Sequence, residues 1–169
     1  MEKRTGEVTM KGNPITLLGK KLKVGDKAPD FTVQDLDFSA VKLSDFSGKI
    51  VIINAVPSVD TSVCSAQLHR FNSEAAKFTN VAILSVSADL PFALSRYCAA
   101  DGIDAIKVTS DHKDLDFGLK YGLVIEALRL LSRAVFVINQ QGKIVYLEYV
   151  DEVSHEPDYT RVLNAVKAL

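Results

Sequence analysis

VIINAVPSVDTSVCSAQLHRF, residues 51–71, changes character three times within one short stretch. Together with Ile50, its first part is a β-branched apolar run bounded by Gly48 and Lys49, which predicts a buried strand in a sheet covered on both faces. Pro57 ends that run. The residues from Pro57 to Thr61 supply turn chemistry, and Asp60, Thr61 and Ser62 are each able to cap a following helix. Val63, Ala66, Leu68, Phe71 and Ala75 then recur at roughly helical spacing, which predicts a helix over Ser62 to Lys77. Cys64 therefore falls in the first turn of a helix, directly after a central strand, where unpaired backbone donors point outward.

A thiol at such a position has two readings. Free cysteine is among the most buried residue types, so the plain reading is a small core hydrophobe. The chemical reading is a nucleophile. A free thiol titrates near pH 8.5, and only the thiolate attacks. Helix-end donors contribute roughly 0.3 to 1 kcal/mol, too little to ionise a thiol at neutral pH unaided. A hydroxyl such as that of Thr61, and a guanidinium from elsewhere in the chain, would have to add to them. On this reading the sulfur is held as an accessible anion at the start of the helix.

The spacing of Pro57, Thr61 and Cys64 resembles the cysteine signature of the peroxiredoxins, cysteine peroxidases on a thioredoxin-like fold. The longer string SVDTSVCSAQLHRFN, residues 58–72, is similar to the bacterial thiol peroxidase branch of that family. So are ADLPFALSRYC, residues 88–98, and the run from Asp151-Glu152 through Glu156-Pro157-Asp158-Tyr159. The segment GDKAPDF, residues 25–31, resembles the run that precedes the first main strand in peroxiredoxins. With several motifs in the right order along nearly the whole chain, the resemblance is more specific than the short cysteine signature alone.

The resemblance implies an α/β, three-layer, thioredoxin-like fold with a mixed central sheet and an N-terminal β-hairpin. It also implies roles. Cys64 would attack the terminal oxygen of hydrogen peroxide or an alkyl hydroperoxide and become a sulfenic acid. Cys98 would condense with that acid to form a transient intramolecular disulfide, and a thioredoxin-like reductant would restore both thiols. Pro57 would shape the loop and shield the sulfur. Thr61 would place a hydroxyl near the sulfur and the peroxide oxygens. Arg133, just before the apolar run Val135 to Ile138, stands where the family has its active-site arginine. No cofactor is implied, neither metal, flavin, haem nor nicotinamide. A homodimer is implied, in contact through loops on the active-site side. The alternative is a redox sensor or binding protein that uses the same two cysteines without efficient turnover.

Composition agrees with a globular protein and argues against some other classes. The 169 residues suit one domain spanning 1–169, and 47% hydrophobic residues are ordinary for a packed core. Lys+Arg 20 against Asp+Glu 21 leaves a net charge of -1, which advertises neither nucleic acid nor an anionic membrane as a partner. No apolar run reaches membrane-spanning length and the start of the chain lacks a hydrophobic signal segment, so a cytoplasmic location is expected. Two cysteines are too few for a disulfide scaffold, and their spacing fits no zinc motif. His69 is five residues beyond Cys64 and points elsewhere on a helix, while His112 and His155 belong to no ligand pattern.

Outward from the central stretch, Val8 to Lys11 and Ile15 to Leu18 form a hairpin around Gly12-Asn13-Pro14. Short strands are expected near Phe31 to Val33, Val41 to Leu43 and Ile106 to Val108, and a buried one over Val81 to Ser87. Asp89 and Pro91 stand as cap and early proline of a helix running to Ala99, with Cys98 beside Leu94 and Tyr97. Ser87, Asp89 and Arg96 are candidates to support that helix. A helix over Leu115 to Tyr121 ends at Gly122, and Val135 to Ile138 pairs with Ile144 to Tyr149 across a turn at residues 139–142. The last helix starts near Pro157. Residues 123–132, LVIEALRLLS, depart from the thiol peroxidase pattern in having no glycine, which predicts another conformation or a short apolar contact surface.

Overall fold

The computed structural model describes all residues, 1–169. An N-terminal hairpin of β1 (Lys3–Met10) and β2 (Asn13–Leu18) is followed by β3 (Thr32–Gln34), β4 (Ala40–Lys42), a 3-10 turn (Leu43–Phe46) and β5 (Ile50–Ala55). Then come α1 (Ser62–Ala75), β6 (Val81–Ser87), α2 (Pro91–Asp101), β7 (Lys107–Ser110) and α3 (Asp116–Lys120). The chain closes with β8 (Val124–Ile125), β9 (Leu130–Leu131), β10 (Ala134–Ile138), β11 (Ile144–Tyr149) and α4 (Tyr159–Lys167).

Seven strands form the central sheet in the order β11-β10-β5-β6-β7-β3-β4. β5, β6 and β7 are parallel, whereas β10, β11, β3 and β4 join antiparallel, so the sheet is mixed as expected. All six residues of β5 are buried, which is what a continuous apolar run in mid-sheet requires. Alternate residues of β5 and β10 face two cores. Val51, Ile53, Phe136 and Ile138 meet Phe31, Phe117 and Tyr121 on one face. Ile50, Ile52, Val135 and Val137 meet Leu68 and Phe71 of α1, Leu94 of α2, and Val162 and Val166 of α4 on the other. Helices on one face, the sheet, and α3 with the 3-10 turn on the opposite face make up the three layers.

Several boundaries differ from the sequence reading. The hairpin turns at Lys11-Gly12, both with positive φ (51° and 79°), and Pro14 lies inside β2 opposite Thr9. A two-residue turn of this kind matches the twist of the strands, and the pair next to its closing pair exchanges no ladder bonds, so a proline fits there. The third parallel strand runs Lys107–Ser110 rather than from Ile106. The glycine-free stretch 123–132 is itself a hairpin: β8 pairs with β9, and Arg129 takes the left-handed conformation (φ 53°). Its apolar residues are mostly internal. Leu123, Val124, Ile125 and Leu131 are buried, and only Leu128 is exposed among its large apolar side chains. β8 also pairs with β2, joining both hairpins into a second, four-stranded sheet in the order β1-β2-β8-β9. Gly122 has φ 68°, and a side chain there would meet the Lys20 carbonyl at 2.5 Å, so two separate constraints demand glycine. No helix is long and apolar enough to cross a membrane.

Candidate active site

The parallel strands end on one edge of the sheet, and the site is built there. β5 runs into the loop 56–61, while β10 pairs antiparallel with β5 so that Ala134 lies opposite Ala55. Arg133, one residue before Ala134, is thereby delivered to the same edge as the start of α1. Sequence separation is large, yet the register leaves no other place for it.

Thr61 is the residue that caps α1. Its Oγ1 accepts the Cys64 N–H at 3.3 Å and donates to the Ser58 carbonyl at 3.3 Å. This places Cys64 at the third helical position. The Thr61 hydroxyl is thus engaged with backbone, and no hydrogen bond joins it to the Cys64 sulfur. Pro57 is buried at the end of β5. The loop between them is anchored by Asp89, whose carboxylate accepts from Ser58 Oγ (2.7 Å), Val59 N (2.9 Å) and Ser87 Oγ (2.8 Å). Asp89 is therefore not the cap of α2. Leu90 occupies that position without a side-chain bond, and the carboxylate has three better donors across the sheet edge. Ser87 shares this task, whereas Arg96 is exposed.

The Cys64 side chain has no solvent exposure, contrary to the expectation of an accessible sulfur. At the third position of α1 it points inward, into the core that also holds Val59, Leu68 and Phe71. Arg133, only 2% exposed, meets it there. Its Nη2 donates to Cys64 Sγ at 3.2 Å, its Nη1 to Gln67 Oε1 at 2.7 Å, and its Nε to the Val153 carbonyl at 3.0 Å. Gln67 in turn donates to Asn54 Oδ1, and Asn54 Nδ2 donates to Ser85 Oγ at 3.3 Å. A buried cation without acceptors would be prohibitive, so the chain of amides is what permits Arg133 to lie inside.

Gln67 and Asn54 were absent from the sequence reading, although both left a signal. Asn54 interrupts an otherwise apolar β5, and Gln67 stands one helical turn after Cys64. The α1 face was assigned with Val63 and Ala66, but Ala66 is exposed and the buried residues are Cys64, Gln67, Leu68, Phe71 and Glu74. An apolarity count favours Ala66 over Gln67; the guanidinium reverses that order.

Cys98 and Cys64 are both free thiols. Cys98 is partly buried, packed against the core that contains Cys64, and it also lines a notch with Leu36, Ile103, Ile106 and Val108. Burial pushes the Cys98 thiol above its ordinary range, and the Asp101 carboxylate adds to this. The two helices are tied by a hydrogen bond between Ser65 Oγ and Tyr97 OH at 2.8 Å. His69 is exposed beside Asp101 (3.0 Å), and His112 binds Gln34 Oε1 (2.7 Å), so neither addresses the sulfur.

Comparison with known proteins gives a consistent result. Residues 23–163 match the Redoxin family model. The chain is 58% identical to the thiol peroxidase of Oceanobacillus iheyensis, covering 93% of this chain and 96% of that one. It is 51% identical to the thiol peroxidase of Bacillus subtilis, over 96% and 98% of the two chains. Among solved structures, a peroxiredoxin-like protein from Aquifex aeolicus superposes with a TM-score of 0.91 at 40% identity, over 98% and 96% of the chains.

Proposed function

Because the chain belongs to the redoxin family, as a peroxiredoxin-type thiol peroxidase, we propose that Cys64 carries out the reduction of hydrogen peroxide and alkyl hydroperoxides. The observation that carries this assignment is the guanidinium of Arg133 donating to Cys64 Sγ in a setting without solvent. Such a charge stabilises a thiolate before attack and the negative charge that builds on the leaving oxygen during it. The Cys64 sulfur attacks the terminal peroxide oxygen, the O–O bond breaks, and the departing alkoxide or hydroxide takes up a proton. Cys64 is left as a sulfenic acid. Since the sulfur is enclosed in the reduced fold, the peroxide reaches it as the loop from Pro57 to Thr61 yields.

In the second half of the cycle, the Cys98 sulfur attacks the sulfenic sulfur, water departs, and an intramolecular disulfide forms. A dithiol reductant of the thioredoxin type then takes over the disulfide by exchange and restores both thiols, in a reducing compartment such as the cytoplasm. Pro57 shapes the loop, and Thr61 acts first through the cap that sets Cys64 in place. The competing reading, a sensor that uses the same two cysteines without turnover, gains no docking surface from residues 123–132, where Leu123, Val124, Ile125 and Leu131 are buried.

Treating the reduced protein with one equivalent of hydrogen peroxide and mapping disulfides by mass tests the cycle. The expected product is a Cys64–Cys98 bond that a reduced thioredoxin removes; a persistently free Cys98 would reject it. We also propose a homodimer through the active-site side, where Leu90, Phe92 and Phe38 are exposed and the two rings stack edge to face at 4.9 Å. Sedimentation showing only the 18.5 kDa species at micromolar concentration would contradict it.

A further inference from the structure

The run beginning at Asp151 has no part in the cycle above, yet its second residue is unusually well bound. Glu152 Oε2 accepts from Thr9 Oγ1 at 2.6 Å and from Gly12 N at 3.1 Å. Its Oε1 accepts from Lys11 N (2.9 Å), Ser154 N (3.2 Å) and Ser154 Oγ (2.8 Å). Lys11 and Gly12 form the tip of the N-terminal hairpin, where two successive left-handed residues point their amides to one side. The Thr9 hydroxyl foremost, and then the Gly12 amide and Ser154, hold the Glu152 carboxyl well below the usual carboxylate range.

The backbone on either side of Glu152 is clamped to the same strand. Thr9 N donates to the Asp151 carbonyl at 2.8 Å, and Val153 N donates to the Thr9 carbonyl at 2.9 Å. Val153 is buried with Val8, Leu17 and Ile125. Its own carbonyl points the other way and accepts Arg133 Nε at 3.0 Å. The loop that the Glu152 carboxylate ties to the hairpin tip thus carries one acceptor on which the Arg133 guanidinium rests.

That acceptor differs in kind from the others. Gln67 and Cys64 both belong to α1. The Val153 carbonyl stands outside α1, so it gives the guanidinium an anchor that does not depend on that helix. We infer that Glu152 is a positioning residue for Arg133, acting by locking the loop 151–154 onto the hairpin tip. This rests on Cys64 being the peroxide-reducing sulfur and Arg133 its cationic partner.

The test uses the full chain with Cys98→Ser, so that only Cys64 reports. Second-order rates with hydrogen peroxide and with iodoacetamide at one fixed pH are measured for the parent, Glu152→Ala, Arg133→Ala and the double variant, with thermal unfolding as the fold check. Glu152→Ala should slow the peroxide reaction roughly ten- to hundredfold, as a misplaced catalytic group does, and slow the alkylation less. Both effects should vanish in the Arg133→Ala background, because there is no guanidinium left to aim. Glu152→Gln, which keeps an acceptor oxygen, should fall between. If Glu152→Ala only lowers the unfolding temperature, or costs the same with and without Arg133, the inference is overturned. Should the alanine variant fail to fold, Glu152→Gln and Thr9→Val carry the same comparison. A different outcome, Arg133→Ala reacting like the parent, would instead overturn the reading of the site itself and the inference with it.

Discussion

Arg133 divides its donors among a sulfur, an amide and a carbonyl, and this division explains which substitutions the site tolerates. A lysine keeps the charge but has a single ammonium, which cannot meet three acceptors set around a planar fork. Arg133→Lys is therefore expected to lower the second-order rate with peroxide by roughly 10²-fold, in line with the loss of one aligned donor at a developing anion. A stopped-flow rate within a few fold of the parent would show that charge alone is sufficient. Gln67→Met keeps the volume while leaving Arg133 Nη1 and Asn54 Oδ1 buried without their partner. It should destabilise the fold by about 1 to 3 kcal/mol, read from the urea midpoint. Cys98 titrates high, so in a Cys64→Ser variant its alkylation should be slower than that of free cysteine at pH 8 and should rise only in more alkaline solution. Equal rates at pH 8 would contradict the burial of that thiol. Cys64, Cys98 and Arg133 could be picked out in the sequence because motifs mark them. Gln67 and Asn54 could not be paired with Arg133, since the contact depends on a sheet register formed between distant segments.

The helix α1 and the strand β5 were readable because each has a strong local signal: a β-branched run, a proline stop, and a cap of the right type. Where a strand or helix depends on a distant partner, the reading failed. β8 and β9 are two residues long each, and β9 exists because β8 lies beside it, so no local signal marks either. The fate of α2 is a matter of the same kind of coupling. For Cys98 to bond Cys64, α2 must loosen from α1, since a disulfide needs Cα atoms within about 7 Å of each other and correctly aimed side chains. Gly102 ends α2 in the left-handed conformation (φ 67°), and the Ser65–Tyr97 hydrogen bond resists the opening. Tyr97→Phe removes that bond and little else. A hydrogen bond of about 1 kcal/mol corresponds to an open population, and hence a rate of disulfide formation after peroxide addition, raised about fivefold. Disulfide formation at an unchanged or lower rate, followed by quenched mass analysis, would show that opening does not run through this contact.

The two cores communicate only through the sheet between them, so a charge buried on the face away from Cys64 bears on the stability of the molecule rather than on its chemistry. Asp111 is such a charge. It follows β7, is 2% exposed, and accepts the Phe117 and Gly118 amides (3.1 and 2.7 Å) at the start of α3. Burial pushes its carboxyl up to about 7, with Asp116 and Asp114 adding to the shift, against the pull of those two amides. An acid whose folded value exceeds its unfolded one binds more protons when folded, so it contributes stability at low pH and loses that contribution as pH rises. The window runs from the ordinary carboxylate value of 3.8 to about 7. In Asp111→Asn the amide NH2 faces a backbone N–H, which costs stability at every pH but does not titrate. The parent should therefore exceed the variant most at pH 4 and below, and its advantage should shrink by up to a few kcal/mol, on the order given by linkage, as pH reaches 8. Urea midpoints for both proteins across that range measure the gap directly. A gap that stays constant, or widens toward pH 8, would mean that the two amides hold Asp111 ionised throughout and that burial does not control it.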